Sequence, residues 1–86
     1  MVKASISIKD LNEKIPIEID EDNENFDSLG GFIIDQLGYI PEEGANETIV
    51  YNGYEIKILY IEDNRIKACR IRKLKEKVKN EDDFEN

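Results

Sequence analysis

The sequence predicts a small α+β domain, an antiparallel β-sheet with one main helix packed on it. Three observations carry that expectation. A helical segment with defined ends occupies Ser28 to Pro41, an Asn-Gly pair at residues 52 and 53 signals a two-residue hairpin, and the apolar period changes from helical to alternating between them. At 86 residues the chain can bury one modest core but not a core plus a deep substrate cleft.

Residues 1–3 carry no pattern and are expected to form a disordered start, with the domain proper over 4–73. Ala4 to Ile8 alternates Ser-Ile-Ser-Ile and reads as a short strand. Lys9 to Lys14 suits one or two helical turns, with Leu11 and Ile15 on one face and Ser7 with Asp10 as a capping box. Pro16 ends that turn and limits the Ile17 and Ile19 alternation to an edge strand. Asp20 to Asp27 is acidic and Asn-punctuated, hence an exposed loop.

In the main helix Ser28 caps the start, Gly38 takes the left-handed turn and Pro41 stops continuation. Leu29, Phe32, Ile33 and Leu37 share one arc of the helical wheel, widened by Ile34. Gly30 falls inside that arc, where a missing side chain lets the helix approach a strand and offsets its propensity cost of about 1 kcal/mol. Gly31 lies off the arc, and the wheel gives no reason for it.

Thr48 to Tyr51 and Tyr54 to Ile61 form the hairpin, and a second tight turn at Asp63-Asn64 leads into a third strand. Pairing Ile49 with Ile56, Ile58 with Cys69 and Ile61 with Ile66 puts Ile49, Tyr51, Tyr54, Ile56, Ile58 and Tyr60 on one core face. The other face then carries Val50, Leu59, Ile61, Ile66 and Ala68 beside Glu55, Lys57, Arg70 and Arg72. That second face needs a cover, either Ile6, Ile8 and Leu11 or a second copy of the chain. Residues 74–86 read as a charged tail, partly helical through Leu74 and Val78 or disordered.

Composition narrows the chemistry. The chain has no histidine, so the commonest general acid/base and transition-metal ligand is missing, and no nucleophile–base pair stands out; an enzyme is the least favoured class. One cysteine forbids an internal disulfide, which fits a reducing compartment. No apolar run approaches the roughly 20 residues that cross a bilayer, and no signal-peptide pattern is present. The net charge of −8 argues against generic nucleic-acid binding, although Arg65 to Lys79 holds eight cations against Glu76 alone. That basic strip, with Leu59, Ile61, Ile66, Arg70 and Arg72, is the candidate interaction face; a neighbouring domain ranks first as its partner, an anionic membrane leaflet second and nucleic acid last.

Other candidate sites each compete with a plainer reading. Gly30 and Gly31 open a helix where backbone N–H groups can meet a phosphate, yet packing explains Gly30, and the acidic approach loop repels an anion. Tyr51 and Tyr54 could stack on a flavin or nucleotide base, but their cross-strand register favours core packing. Asp20, Asp22 and Glu24 begin like a calcium-binding EF-hand loop, which fails at Asn25 and Gly31 and leaves at most a weak, hydrated Mg2+ or Ca2+ site. Cys69 on the core face reads as a buried, inert thiol.

The run Phe26-Asp27-Ser28-Leu29-Gly30-Gly31-Phe32-Ile33, then Leu37-Gly38-Tyr39-Ile40-Pro41, Gly44, Tyr51-Asn52-Gly53-Tyr54 and Arg65-Ile66-Lys67-Ala68-Cys69-Arg70-Ile71, resembles the CorC/HlyC transporter-associated domain. Asp10-Leu11-Asn12-Glu13 fits as well, and the resemblance covers roughly Ile6 to Ile71. Tyr39 stands where that family often has a basic residue, and Tyr54-Glu55-Ile56 replaces a commoner phenylalanine-centred pattern. The resemblance implies the C-terminal module of a bacterial membrane protein of the magnesium/cobalt efflux or hemolysin-related type, following a membrane domain and a pair of CBS domains. On that reading it lies on the cytoplasmic side of the inner membrane without entering the bilayer. It regulates ion transport by docking to those domains or to a second copy, without a cofactor of its own. The family's fold is also similar to part of the PCMH-type flavin-binding fold, so the alternative is a module binding FAD or an adenine nucleotide, by fold analogy alone.

Overall fold

The computed structural model describes residues 1–44 and 46–74. The elements run β1 (Val2–Lys3), α1 (Ile8–Lys14), α2 (Leu29–Leu37), β2 (Thr48–Tyr51), β3 (Tyr54–Glu62) and β4 (Arg65–Lys73). The strands make one antiparallel sheet in the order β1-β4-β3-β2. Both helices and the segment between them pack on a single face of it, giving the α+β architecture that the sequence predicts.

The chain start departs from expectation. Val2 and Lys3 pair with Cys69 and Ala68 on the open edge of β4, so the first residues belong to the sheet. Ala4 and Ser5 then turn, and the strand expected over Ala4 to Ile8 shrinks to one bridge between Ser7 and Ser28. Ser7 caps α1 by accepting the Asp10 N–H at 3.0 Å. Ile17 and Ile19 are both buried but form no strand, because Glu18 between them has φ 60°. In place of a sheet partner, the Asn12 side chain donates to the Ile19 carbonyl at 2.8 Å and accepts the Ile19 N–H at 3.1 Å. Asn52 Nδ2, at the hairpin tip, donates to the Ile17 carbonyl at 2.8 Å and pins the same segment from the other side.

The two glycines of α2 serve two close approaches. A Cβ at Gly30 would stand 3.4 Å from both Cβ and the carbonyl oxygen of Ala4, and 3.7 Å from the Ile66 oxygen, so the helix meets the turn after β1 and the start of β4 here. At Gly31 it would stand 3.1 Å from Phe26 Cβ. Phe26 folds back over the helix start and meets Phe32 edge-on at 5.3 Å, in the manner of a hydrophobic staple. The wheel could not explain Gly31 because its reason lies outside the helix.

Both tight turns have positive φ at their two central residues, 50° and 83° at Asn52-Gly53 and 56° and 62° at Asp63-Asn64, as two-residue hairpins of the right twist require. The expected pairs Ile49–Ile56, Ile58–Cys69 and Ile61–Ile66 are all present. Their facing is not as expected. Between Ile58–Cys69 and Ile61–Ile66 the only pair is Tyr60–Ala68, so Leu59 and then Lys67 are each an extra residue on opposite strands. Two bulges in succession restore the register while shifting the inward phase of both strands by one residue. Ile61 and Ile66 are therefore core residues, 5% and 7% exposed, whereas Tyr60 is 54% exposed.

Ile8, Leu11, Ile17, Ile19, Leu29, Phe32, Ile33, Tyr54, Ile56, Ile58 and Cys69 complete one core on the helix side, with Ile6 packed at its margin. The expectation that Ile6, Ile8 and Leu11 cover the opposite sheet face is thus replaced, since they join the same core as α2. The expected tail helix falls mostly on residues 75–86, outside the described residues; Lys73 ends β4, and the Leu74 N–H donates to the Gly53 carbonyl at 2.9 Å.

Two substitutions test this packing. Gly30→Leu should lower unfolding free energy by about 2–3 kcal/mol in urea titrations, while Gly30→Ala should stay within about 1 kcal/mol of the parent, because a methyl there reaches only ordinary contact. Equal losses would remove the close-approach explanation. Asn12→Ala should cost about 1–3 kcal/mol, since it leaves both polar groups of partly buried Ile19 without their partner.

Candidate functional site

The structure separates the residues grouped by sequence into three places. Gly30 and Gly31 border a groove formed by the first turn of α2, the β1 segment and the start of β4. Tyr54 is buried, and Tyr51 is half-buried with its ring edge-on to Phe32 at 5.0 Å, so neither tyrosine presents a face for stacking and neither meets the glycines. The backbone donors that open α2 already have partners. Leu29 N–H donates to the Ile6 carbonyl at 3.0 Å, Gly30 N–H to the Ala4 carbonyl at 2.9 Å, Gly31 N–H to Ser28 Oγ at 3.2 Å and Phe32 N–H to the Ser28 carbonyl at 2.9 Å. A backbone phosphate cradle is closed by these bonds, for a reason the sequence did not show: the chain start lies across the helix end and accepts two of them.

The acidic loop is folded by local bonds. Asp20 Oδ1 accepts the Asp22 N–H at 3.0 Å, Asn23 Oδ1 accepts the Asn25 N–H at 2.7 Å, and Glu21 accepts from the Asn12 amide at 3.0 Å. The first two are Asx-type turns. Among the described residues no three Asp, Glu or Cys side chains, Asp20, Asp22 and Glu24 included, are grouped as they would be around a metal ion. Tyr39 donates its phenol to the Glu47 carboxylate; that bond first, then desolvation and the nearby negative charge, raise the phenol's pKa above its ordinary value.

The third place is the outer face of the sheet, opposite the helices. The interaction face expected at Leu59, Ile61, Ile66, Arg70 and Arg72 is corrected here: the double bulge turns Ile61 and Ile66 into the core, leaving Leu59, Arg70 and Arg72 outside. Sequence alternation missed Tyr60, which the same bulges turn outward, while Val50 stays outward at 61% exposed and Leu59 is 40% exposed. Lys57 stands opposite Arg70 in the ladder, and Arg72 meets Glu55 at 2.9 Å. That exposed pair is worth about 0–1 kcal/mol, so it marks position rather than stability. The face combines aromatic and aliphatic surface with guanidinium groups, the composition of a protein-binding patch.

Cys69 faces inward beside the Val2 pairing and is fully buried; burial pushes its thiol up to about 11 from an ordinary 9.0. A folded pKa above the unfolded one stabilises the fold below pH 9 and loses that contribution as pH rises toward 11. The native thiol should accordingly be silent to a disulfide reagent at pH 8, and the stability difference between the parent chain and Cys69→Ala should fall between pH 9 and 11. A thiol that reacts at the rate of an exposed one would contradict its burial.

No helix among the described residues is long and apolar enough to cross a membrane. The chain has counterparts among known proteins. The chain is 30% identical over 71 residues to the magnesium and cobalt efflux protein CorC of Salmonella typhimurium, covering 83% of this chain and 23% of that protein. It is 36% identical over 75 residues to hemolysin C of Brachyspira hyodysenteriae, covering 87% and 27% respectively. The chain thus spans about a quarter of the length of these relatives. The solved transporter associated domain of a Xylella fastidiosa Temecula1 hemolysin, a complex with Mg2+ and Mn2+, superposes with a TM-score of 0.72 at 26% identity over 86% of this chain and 85% of that one. The CorC_HlyC family model, described as the transporter associated domain, matches residues 1–75, and the chain belongs to that family.

Proposed function

We propose that this domain is a non-enzymatic regulatory part of a magnesium/cobalt-type ion transporter or hemolysin-related membrane protein, and that it acts by docking. The observation that carries the reading is the outer sheet face. Val50, Leu59 and Tyr60 stand exposed there beside Lys57, Arg70 and Arg72, while every large buried side chain lies on the helix side. A domain with one finished face and one amphipathic face is built to lie against a partner. The chain spans about a quarter of its relatives' length, which supports a partner elsewhere in a longer parent chain; on this reading the partner is a CBS-domain pair on the cytoplasmic side of the membrane. A difference in docking free energy between two transporter states biases their equilibrium by that difference and no more. The magnesium and cobalt in the CorC name, and the Mg2+ and Mn2+ of the Xylella domain, enter this reading as ions handled by those proteins. On this reading the transported ion is cargo of the parent protein.

The test adds the 86-residue chain in trans to a parent protein truncated before this domain and follows binding by calorimetry. Saturable binding is expected, with Tyr60→Glu/Arg70→Glu weakening it by at least about tenfold at unchanged melting temperature. Docking by that double variant with parental affinity would discard the face as the contact. Sedimentation of the chain alone addresses the other occupant: a concentration-dependent dimer abolished by the same substitutions would give the face to a second copy.

A further inference from the structure

The groove at the start of α2 lies apart from the outer face and has a volume of about 540 Å3. Three cationic residues, Lys3, Arg65 and Lys67, are among those that line it, and no acidic residue is. In a chain with 20 acidic residues against 12 basic ones, that segregation needs a cause. Asp27 and Asp63 adjoin lining residues in sequence and Glu62 pairs with Arg65 across the ladder, yet none forms part of the wall. Among the described residues the one ion pair within 4.0 Å is Arg72–Glu55, so all three groove cations lack a carboxylate partner there. Like charges gathered around one concavity repel each other and focus a positive potential, and an anion relieves both.

The lining also supplies neutral donors. Ser28 Oγ accepts the Gly31 N–H, which leaves its own hydroxyl hydrogen for a guest, and Ser5 and Asn64 stand at the same rim. Ile34 and Ile66 contribute apolar surface. Because the amides of α2 are bonded within the protein, recognition here falls to side chains.

The geometry points to a phosphate-ester site, in which Lys3, Arg65 and Lys67 hold the phosphate of a small organic monoester and the apolar surface takes part of its body. A tetrahedral dianion offers three oxygens, enough for a guanidinium fork and two ammonium groups together, whereas a carboxylate offers two. The volume exceeds what a lone phosphate fills and falls in the range of small-molecule sites. The same group can arrive on a soluble monoester or as a phospholipid headgroup. Glycerol 3-phosphate and vesicles containing phosphatidic acid separate these sources.

Amide spectra of the 86-residue chain titrated with glycerol 3-phosphate at constant ionic strength should show saturable shifts at Lys3, Ser5, Ser28 and Asn64 to Lys67. Arg65→Gln/Lys67→Gln should weaken binding by at least about tenfold, and Arg70→Gln/Arg72→Gln should leave it within about twofold. All four side chains are exposed, so both variants should keep the parental melting temperature. Co-sedimentation with phosphatidic acid vesicles but not with phosphatidylcholine ones, showing the same dependence on variants, would assign the lipid source; saturation by glycerol 3-phosphate without it would assign the soluble one. Saturable binding to neither probe, or equal losses in the two double variants, would overturn the site. The docking face does not depend on either result, because it uses Arg70 and Tyr60 and is read by a different partner.

Discussion

The first turn of α2 is where every layer of this domain meets. Leu29 and Gly30 donate their backbone N–H groups to the carbonyls of Ile6 and Ala4, which ties the chain start to the helix. The same chain start is fixed to the sheet, through β1 against β4 and through the Ala4 N–H on the Lys67 carbonyl at 3.0 Å. Gly30 makes this possible, since a bulky side chain there would push the helix off Ala4 and the Ile66 carbonyl. A helix-propensity loss of about 1 kcal/mol is small beside the side chains that the contact lets Leu29, Phe32 and Ile33 bury, each worth about 1.5–3 kcal/mol.

From that junction the one-sided build follows. With α2, α1 and the Ile17–Ile19 segment all on one face, the second face of the sheet is left to solvent. The paired bulges at Leu59 and Lys67 then decide its chemistry. They draw Ile61 and Ile66 inward, where the α2 end of the sheet has room for them, and turn Tyr60 outward. An uninterrupted alternation would have left two isoleucines in water and buried a phenol. The bulges thus stabilise the core and furnish the exposed face with an aromatic residue, the type most often found at the energetic centre of protein contacts.

The two surfaces differ in what they can recognise. The outer face is broad and amphipathic, with a guanidinium already engaged by Glu55, and suits another protein surface. The groove is concave and cationic, and suits a compact anion. Cys69, the single thiol, is held neutral by burial. The chain corresponds to about a quarter of the length of its relatives, so such surfaces can face other parts of a longer protein.

By itself the sequence determined the local structure wherever the cause was local. Ser28, Gly38 and Ser7 cap their helices as their side chains and backbone freedom dictate, Asn52-Gly53 and Asp63-Asn64 turn because these residues tolerate positive φ, and the ladder pairs follow from those turns. The family was legible too, through the resemblance of the runs at residues 26–33, 51–54 and 65–71 to its motifs. Tertiary structure decided what depended on distant neighbours. Gly31 answers to Phe26 folding back, Ile17 and Ile19 to the side chains of Asn12 and Asn52, and Val2-Lys3 to an open strand edge supplied by residues over sixty positions later. The facing of Tyr60, Ile61 and Ile66 belongs to the same class, because a period-two pattern assumes an unbroken ladder and two compensating bulges leave every turn and end pair unchanged. The groove was hidden for a related reason. Lys3, Ser28 and Arg65 are far apart in the chain, and only the junction at Gly30 brings them to one rim.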